Sequence, residues 1–96
     1  MIKHDVVIPN QLGLHARAAA KLVHAASRFK SAVHIRKDRQ TVNGKSILGI
    51  LLLAASQGSQ LSLIFEGPDE KEASEAILEL VSKGFGEMDE GGAGPS

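Results

Sequence analysis

The sequence predicts an α+β fold, a four-stranded antiparallel sheet with three helices on one face, in the order β-α-β-β-α-β-α. Two observations carry this. Short segments alternate apolar and polar residues, as half-buried strands do, and segments of helical periodicity interrupt them. Each strand has one clearly apolar face and one mixed face, which suits a sheet covered by helices on one side and open to water on the other. The chain has 96 residues, no internal repeat and no long linker, so a single open-faced sandwich domain is expected over residues 1–85.

Ile2, His4, Val6 and Ile8 alternate with Lys3, Asp5 and Val7 in a first strand that Pro9 ends. NQLG makes a loop. From Ala16 to about Ser27 the pattern is helical, with Ala19, Leu22, Val23 and Ala26 on one face and Arg17, Lys21, His24 and Arg28 mainly elsewhere. Val33 and Ile35 mark a second strand, KDRQ a turn, and TV a short third strand before the turn signal NG. Ser46 then precedes ILGILLLAA, a short apolar helix in which Ile50, Leu53 and Ala54 can face the core. Leu61, Leu63 and Phe65 define a fourth strand. Asp69 is the expected cap of a last helix, whose buried stripe is Ala73, Ala76, Ile77, Leu80 and Val81. Residues 86–96, GEMDEGGAGPS, have little to bury and are expected to form a disordered tail.

Composition narrows the function. There are no cysteines, which removes disulfides, thiolate metal sites and cysteine nucleophiles and fits a reducing cytoplasm. The 11 basic and 11 acidic residues cancel, so the footprint of a nucleic-acid binder is missing. With 3 Phe and no Trp or Tyr, base-stacking platforms are not expected either. The N-terminal MIKHDVVIP lacks the pattern of a signal peptide, and the longest apolar run, ILLLAA, is too short to span a bilayer. A cytoplasmic protein without membrane insertion is the expectation. His4, His24 and His34 match no ligand spacing, so no metal and no cofactor is assigned.

The stretch GLHARAAA, Gly13 to Ala20, poses the chemical question. Histidine is a poor N-cap beside Ser, Asp or Asn. Placed at or just before the cap, His15 would lie beside the unpaired amides of the first turn, where the helix field favours an anion and disfavours an imidazolium. A neutral imidazole has a lone pair for attack. If the ring took a phosphoryl group, its charge of roughly −2 would suit that helix end, and Arg17 is near enough in sequence to add a guanidinium. No glycine-rich nucleotide loop and no cluster of metal-binding carboxylates accompanies them, so the site would pass on a phosphoryl group rather than take one from a nucleotide unaided. The plain alternative is an ordinary, partly exposed histidine.

GLHARAAAKLV followed by VNGKSILGILLLAASQGSQLSLIFEGPDEKEA resembles the histidine-containing phosphocarrier (HPr) family of the bacterial phosphoenolpyruvate-dependent phosphotransferase system, over about residues 2–85. The resemblance implies an open-faced β-sandwich. It implies that His15 accepts a phosphoryl group on Nδ1 from phosphorylated enzyme I and donates it to enzyme IIA domains, with Arg17 holding the phosphate. It further implies a carrier acting with enzyme I rather than a stand-alone enzyme, and a monomer.

Ser46 is a sound N-cap for the second helix, and capping alone would explain it. KSILG also resembles the segment that an HPr kinase/phosphorylase phosphorylates, which implies regulation at Ser46. The second helix has more apolar residues than one buried stripe needs: Ile47, Leu48 and Leu51 fall on another face, either buried on a second side or presented for docking. The resemblance favours docking, because positions matching Ala16, Arg17, Ala20, Ile47, Leu48 and Leu51 surround the active histidine in that family. Lysines are frequent there at the positions of His24, Ser27 and Gly49, so the positive rim is weaker here. Two other readings remain: a regulatory paralogue that signals through enzyme IIA proteins without sugar uptake, and a non-catalytic protein-binding module built on the second helix.

One position departs from the family pattern. Ala18 stands where proline is usual, which adds backbone freedom and a spare N–H without weakening the helix. Phosphoryl transfer should persist with Ala18 at an altered rate. Comparing initial rates of the parent and Ala18→Pro checks this, and a wholly inert parent rescued by proline would contradict it.

Overall fold

The computed structural model describes residues 1–87. Strands β1 (Ile2–Val7), β2 (Ala32–Lys37), β3 (Gln40–Asn43) and β4 (Gln60–Glu66) form one sheet in the order β1-β4-β2-β3, with every neighbouring pair antiparallel. Helices α1 (Ala16–Ala26), α2 (Ile47–Leu52) and α3 (Glu70–Ser82) complete the fold, and a 3-10 turn at Gly84–Gly86 follows α3. This is the open-faced sandwich expected from the alternation of the strands. Among the described residues no helix is long and apolar enough to cross a membrane.

Register explains the two faces. Ile2, His4 and Val6 lie opposite Phe65, Leu63 and Leu61, and Val33 and Ile35 lie opposite Phe65 and Leu63. These positions share the face toward the helices, where Val33, Ile35, Leu61, Leu63 and Phe65 are buried with Leu22, Ile50 and Ile77. His4 points to the same side but sits on the edge strand and is exposed. On the open face Ser62 Oγ donates to Asp5 Oδ1 across β4 and β1 at 2.8 Å.

Four expectations are corrected. The second helix stops at Leu52 rather than Ala55, and Ala54 adopts a left-handed φ of 50°. Lys37 Nζ donates to the carbonyls of Leu53 and Ala54 at 3.2 and 3.3 Å, so a lysine from β2 satisfies the end of α2. As a result Ala54 is exposed, and Ala55 takes the buried place expected of it. In α1 the buried face includes Ala18 together with Ala19, Leu22 and Ala26, while Val23 is only half-buried. In α3, Ser74 joins Ala73, Ile77 and Val81 in the buried stripe, and Ala76 and Leu80 lie at its half-buried margin. Asp69 occupies the N-cap position of α3, yet its carboxylate makes no cap bond.

That carboxylate instead ties α3 to the end of α1. It accepts hydrogen bonds from Ser31 N at 2.9 Å, Lys30 N at 3.0 Å and Ser31 Oγ at 2.5 Å. Ser31 is fully buried. Gly67 leaves room for it: at φ 151° a Cβ there would stand 2.6 Å from Ser31 Oγ. The Ser31 hydroxyl and the Lys30 amide lower the Asp69 pKa from 3.8 to about 2. A carboxylate lowered on folding stabilises the native state above its unfolded pKa, and that contribution is lost as pH falls toward the folded value. Asp69→Asn, which mimics the protonated acid, should therefore melt below the parent at pH 7. The gap should close between about pH 4 and pH 2, as followed by thermal melts across that range.

Candidate functional site

The loop before α1 is fixed by a close backbone approach. Gly13 has φ +66°, and a Cβ at that position would lie 2.4 Å from the Ala55 carbonyl oxygen. Only glycine accepts both the conformation and the contact. Leu14 N donates to the Ala55 carbonyl at 2.9 Å, and the Leu14 side chain is buried. The segment leaving α2 thus holds the residue just before the histidine, while Ala18 and Ala19 are buried just after it.

Between these anchors His15 is the N-cap of α1, in extended conformation (φ −76°, ψ −179°). Its carbonyl accepts the first helical bond, from Ala19 N at 2.8 Å. Its Nδ1 accepts a long bond from Arg17 N at 3.4 Å. The imidazole therefore caps the helix end weakly and leaves Nδ1 beside the first-turn amides. The side chain is 29% exposed, enough to be reached from solvent. Ala16, Arg17 and Ala20 are exposed around it. Among the described residues the Arg17 guanidinium has no ion-pair partner.

Arg17 also borders a shallow groove of about 560 Å³ between α1 and α3, lined by Ala20, Lys21, His24, Ala25, Arg28 and Leu80. Its floor is apolar and its rim basic, so one side of the site retains positive charge despite the neutral chain. A second hollow, of about 500 Å³ on the open sheet face near Lys3, Asp5, Arg36 and Ser62, contains neither His15 nor Arg17.

The remaining expected residues lie on α2, which packs beside α1. Ile47, Leu48 and Leu51 are exposed at 43%, 69% and 36%, and Leu52, which the periodicity did not single out, is exposed at 61%. The face is presented rather than buried on a second side. Ser46 is the N-cap of α2 and accepts from Gly49 N through Oγ at 3.1 Å. His24 is exposed in the groove beside Arg17, and His34 is exposed on β2.

Two residues that sequence reasoning passed over complete the surroundings of His15. Glu87 Oε2 lies 2.5 Å from His15 Nε2, and Glu87 Oε1 accepts from Asn10 Nδ2 at 2.8 Å. Gly86 and Glu87, assigned from sequence to the tail, belong to the folded structure, whereas residues 88–96 of that tail lie outside the described residues. The one signal for this was Phe85, an aromatic between two glycines. Burial pushes the Glu87 carboxyl upward, but hydrogen bonds from Asn10 and His15, with the charge of Lys21 nearby, outweigh it and leave the pKa below the usual glutamate value. The carboxylate is therefore ionised at neutral pH.

Comparison with known proteins identifies the family. Residues 2–83 match the family model described as the PTS HPr component phosphorylation site. Phosphocarrier protein HPr of Cupriavidus necator is 47% identical over 87 residues, covering 91% of this chain and 98% of its own. The HPr-like protein Crh of Halalkalibacterium halodurans is 45% identical, covering 86% of this chain and 99% of its own. Among solved structures, the HPr crystal structure from Thermoanaerobacter tengcongensis superimposes with a TM-score of 0.87 at 45% identity, covering 90% of this chain and 97% of that one. Crh of Bacillus subtilis, described as a dimer with a swapped domain, gives a TM-score of 0.71 at 42% identity, covering 88% of this chain and 97% of that one. The chain belongs to the HPr family of phosphocarrier proteins of the phosphotransferase system.

Proposed function

We propose that this chain carries a phosphoryl group on His15 Nδ1, receiving it from phosphorylated enzyme I and delivering it to enzyme IIA domains. The observation that carries the reading is the N-cap position of a partly exposed histidine, with Nδ1 turned to the amides of the first turn of α1. In the free protein Nδ1 accepts from the Arg17 amide over 3.4 Å, a weak bond that is cheap to give up. Once Nδ1 bears phosphorus, phosphoryl oxygens take its place as acceptors at the helix end. The arriving charge of roughly −2 meets the positive end of the helix dipole. Arg17, exposed and without an ion-pair partner among the described residues, is free to turn its guanidinium to those oxygens. The site is complete within one chain, which supports action as a monomer.

Ile47, Leu48 and Leu51, with Ala16, Arg17 and Ala20, form the docking surface in this reading. Apolar area contributes affinity and the Arg17–Lys21–Arg28 strip favours acidic partners. Ser46 lies at the edge of the α2 face. A phosphate placed there by an HPr kinase/phosphorylase would put negative charge against the same acidic partners and oppose docking without loss of the fold.

Incubation with enzyme I, phosphoenolpyruvate and Mg²⁺ should give a phosphoprotein whose label is lost in acid, as an N–P bond requires. His15→Ala should take no label, and Arg17→Ala should be labelled about 10–100-fold more slowly, the size of one charge-assisted interaction. Label in His15→Ala, or none in the parent under active enzyme I, would contradict the proposal; the second result would leave a protein-binding module. Ser46→Asp should raise the KM of enzyme I for this chain severalfold in the same assay, and an unchanged KM would count against the regulatory role.

A further inference from the structure

We propose that Lys37 is a positioning residue for docking: from the end of β2 it fixes the C-terminal end of α2, and with it the exposed apolar face that receives the partner. This rests on the reading of that face as the docking surface.

Little else holds α2 at that end. A helix of 6 residues is too short to be stable by itself. Within it only Ile50 is buried, while Ile47, Leu48, Leu51 and Leu52 are exposed. Its start is secured twice. Ser46 Oγ accepts from Gly49 N at 3.1 Å, and Lys45 Nζ donates to the Phe29 carbonyl at 2.8 Å, which ties the residue before the cap to the turn after α1. Its end has no local device of this kind. Helices that close on a left-handed residue usually place glycine there. Here the residue is Ala54, at φ 50°, a conformation that alanine adopts at a cost. The last turn of α2 contains no basic residue.

Lys37 supplies what the helix lacks. By strand alternation Val33, Ile35 and Lys37 share the side of β2 that faces the helices. The first two are buried in the core, and Lys37, at the end of the row, is half-buried. Its ammonium has three N–H donors and reaches the Leu53 carbonyl at 3.2 Å and the Ala54 carbonyl at 3.3 Å. A helix end leaves such carbonyls unpaired, and its negative end favours a cation. Among the described residues no carboxylate forms an ion pair with Lys37. The next carbonyl, that of Ala55, accepts from Leu14 N at 2.9 Å. Three successive carbonyls leaving α2 are thus fixed from outside, the first two by Lys37.

This division shows which step Lys37 serves. Leu14 and Ala55 are both buried, so the loop before His15 keeps its place without the lysine. Leu51 and Leu52 directly precede the carbonyls that Lys37 holds, and they have little burial of their own. Loss of the amine therefore loosens the docking face and leaves the setting of Nδ1 intact. Weaker docking raises KM; an unchanged reacting centre keeps kcat.

The test uses the full chain with Lys37→Met and Lys37→Arg, and Leu48→Asp as a reporter of the docking face. As a substrate of enzyme I, Lys37→Met should show KM raised about 5-fold with kcat unchanged, the size of one net hydrogen bond. Lys37→Arg, which still donates N–H groups, should keep a KM near that of the parent. In NMR hydrogen exchange, the Leu53 and Ala54 amides, which donate to the Ile50 and Leu51 carbonyls, should lose protection in Lys37→Met while the Leu14 amide keeps it. If Lys37→Met does not fold, Lys37→Gln, uncharged and one bond shorter, replaces it in the same comparisons. A parental KM in Lys37→Met beside a raised KM in Leu48→Asp overturns the proposal and leaves the docking reading standing. So does a KM raised equally in Lys37→Arg, or a lowered kcat at parental KM. A parental KM in Leu48→Asp overturns the docking reading and the role of Lys37 with it, as does a parent that takes no phosphoryl group.

Discussion

The site depends on pinning one helix end at the surface. Leu14 is buried on the chain just before His15, and Ala18 and Ala19 just after it. Those three side chains are part of the apolar layer between sheet and helices, so the histidine cannot drift without opening the core. Gly13 brings the preceding backbone against Ala55, closer than any side chain would allow. The histidine is thereby held by the packing of its neighbours, and its ring by the contact of Nε2 with Glu87. The weak 3.4 Å contact at Nδ1 is compatible with this, because the position of the ring does not rest on it.

Around that point the charges are arranged for a change of state. Nδ1 of His15 lies at the positive end of α1, beside the Arg17 amide, and Glu87 provides a negative group at Nε2. In the proposed transfer, the phosphoryl group would bring its negative charge to the positive end of α1. Lys21 belongs to α1 and contacts Phe85, which links the helix that presents the histidine to the turn that presents the glutamate.

The exposed apolar face follows from the shortness of α2. Six helical residues cannot bury more than one stripe against the core, and Ile50 with Leu53 supplies it. Ile47, Leu48, Leu51 and Leu52 are left facing solvent beside α1. An exposed apolar cluster of this kind costs solubility unless a partner covers it, which is why the proposed docking surface is placed there.

Much of this was legible in the chain. Alternation in β1, β2 and β4 marked the core face because the side-chain period of a strand is independent of its partners. The weak cap His15, the following Arg17 and the strong cap Ser46 were legible because capping is local chemistry. Three features were not. Asp69 reads as a helix cap, but Ser31 and Lys30, far away in sequence, take its carboxylate. Ala54 reads as helical, but the helix stops at Leu52, Ala54 is left-handed, and Lys37 from β2 takes up the carbonyls of Leu53 and Ala54. Glu87 reads as tail, yet it lies on the histidine 72 positions earlier. The sequence by itself determined the order of elements, the buried faces and the acceptor nitrogen's setting at a helix start, since periodicity and capping act within a few residues. Only the tertiary structure decided which long-range side chains end those elements and what faces Nε2, because a hydrogen bond between distant residues leaves no local pattern in the chain.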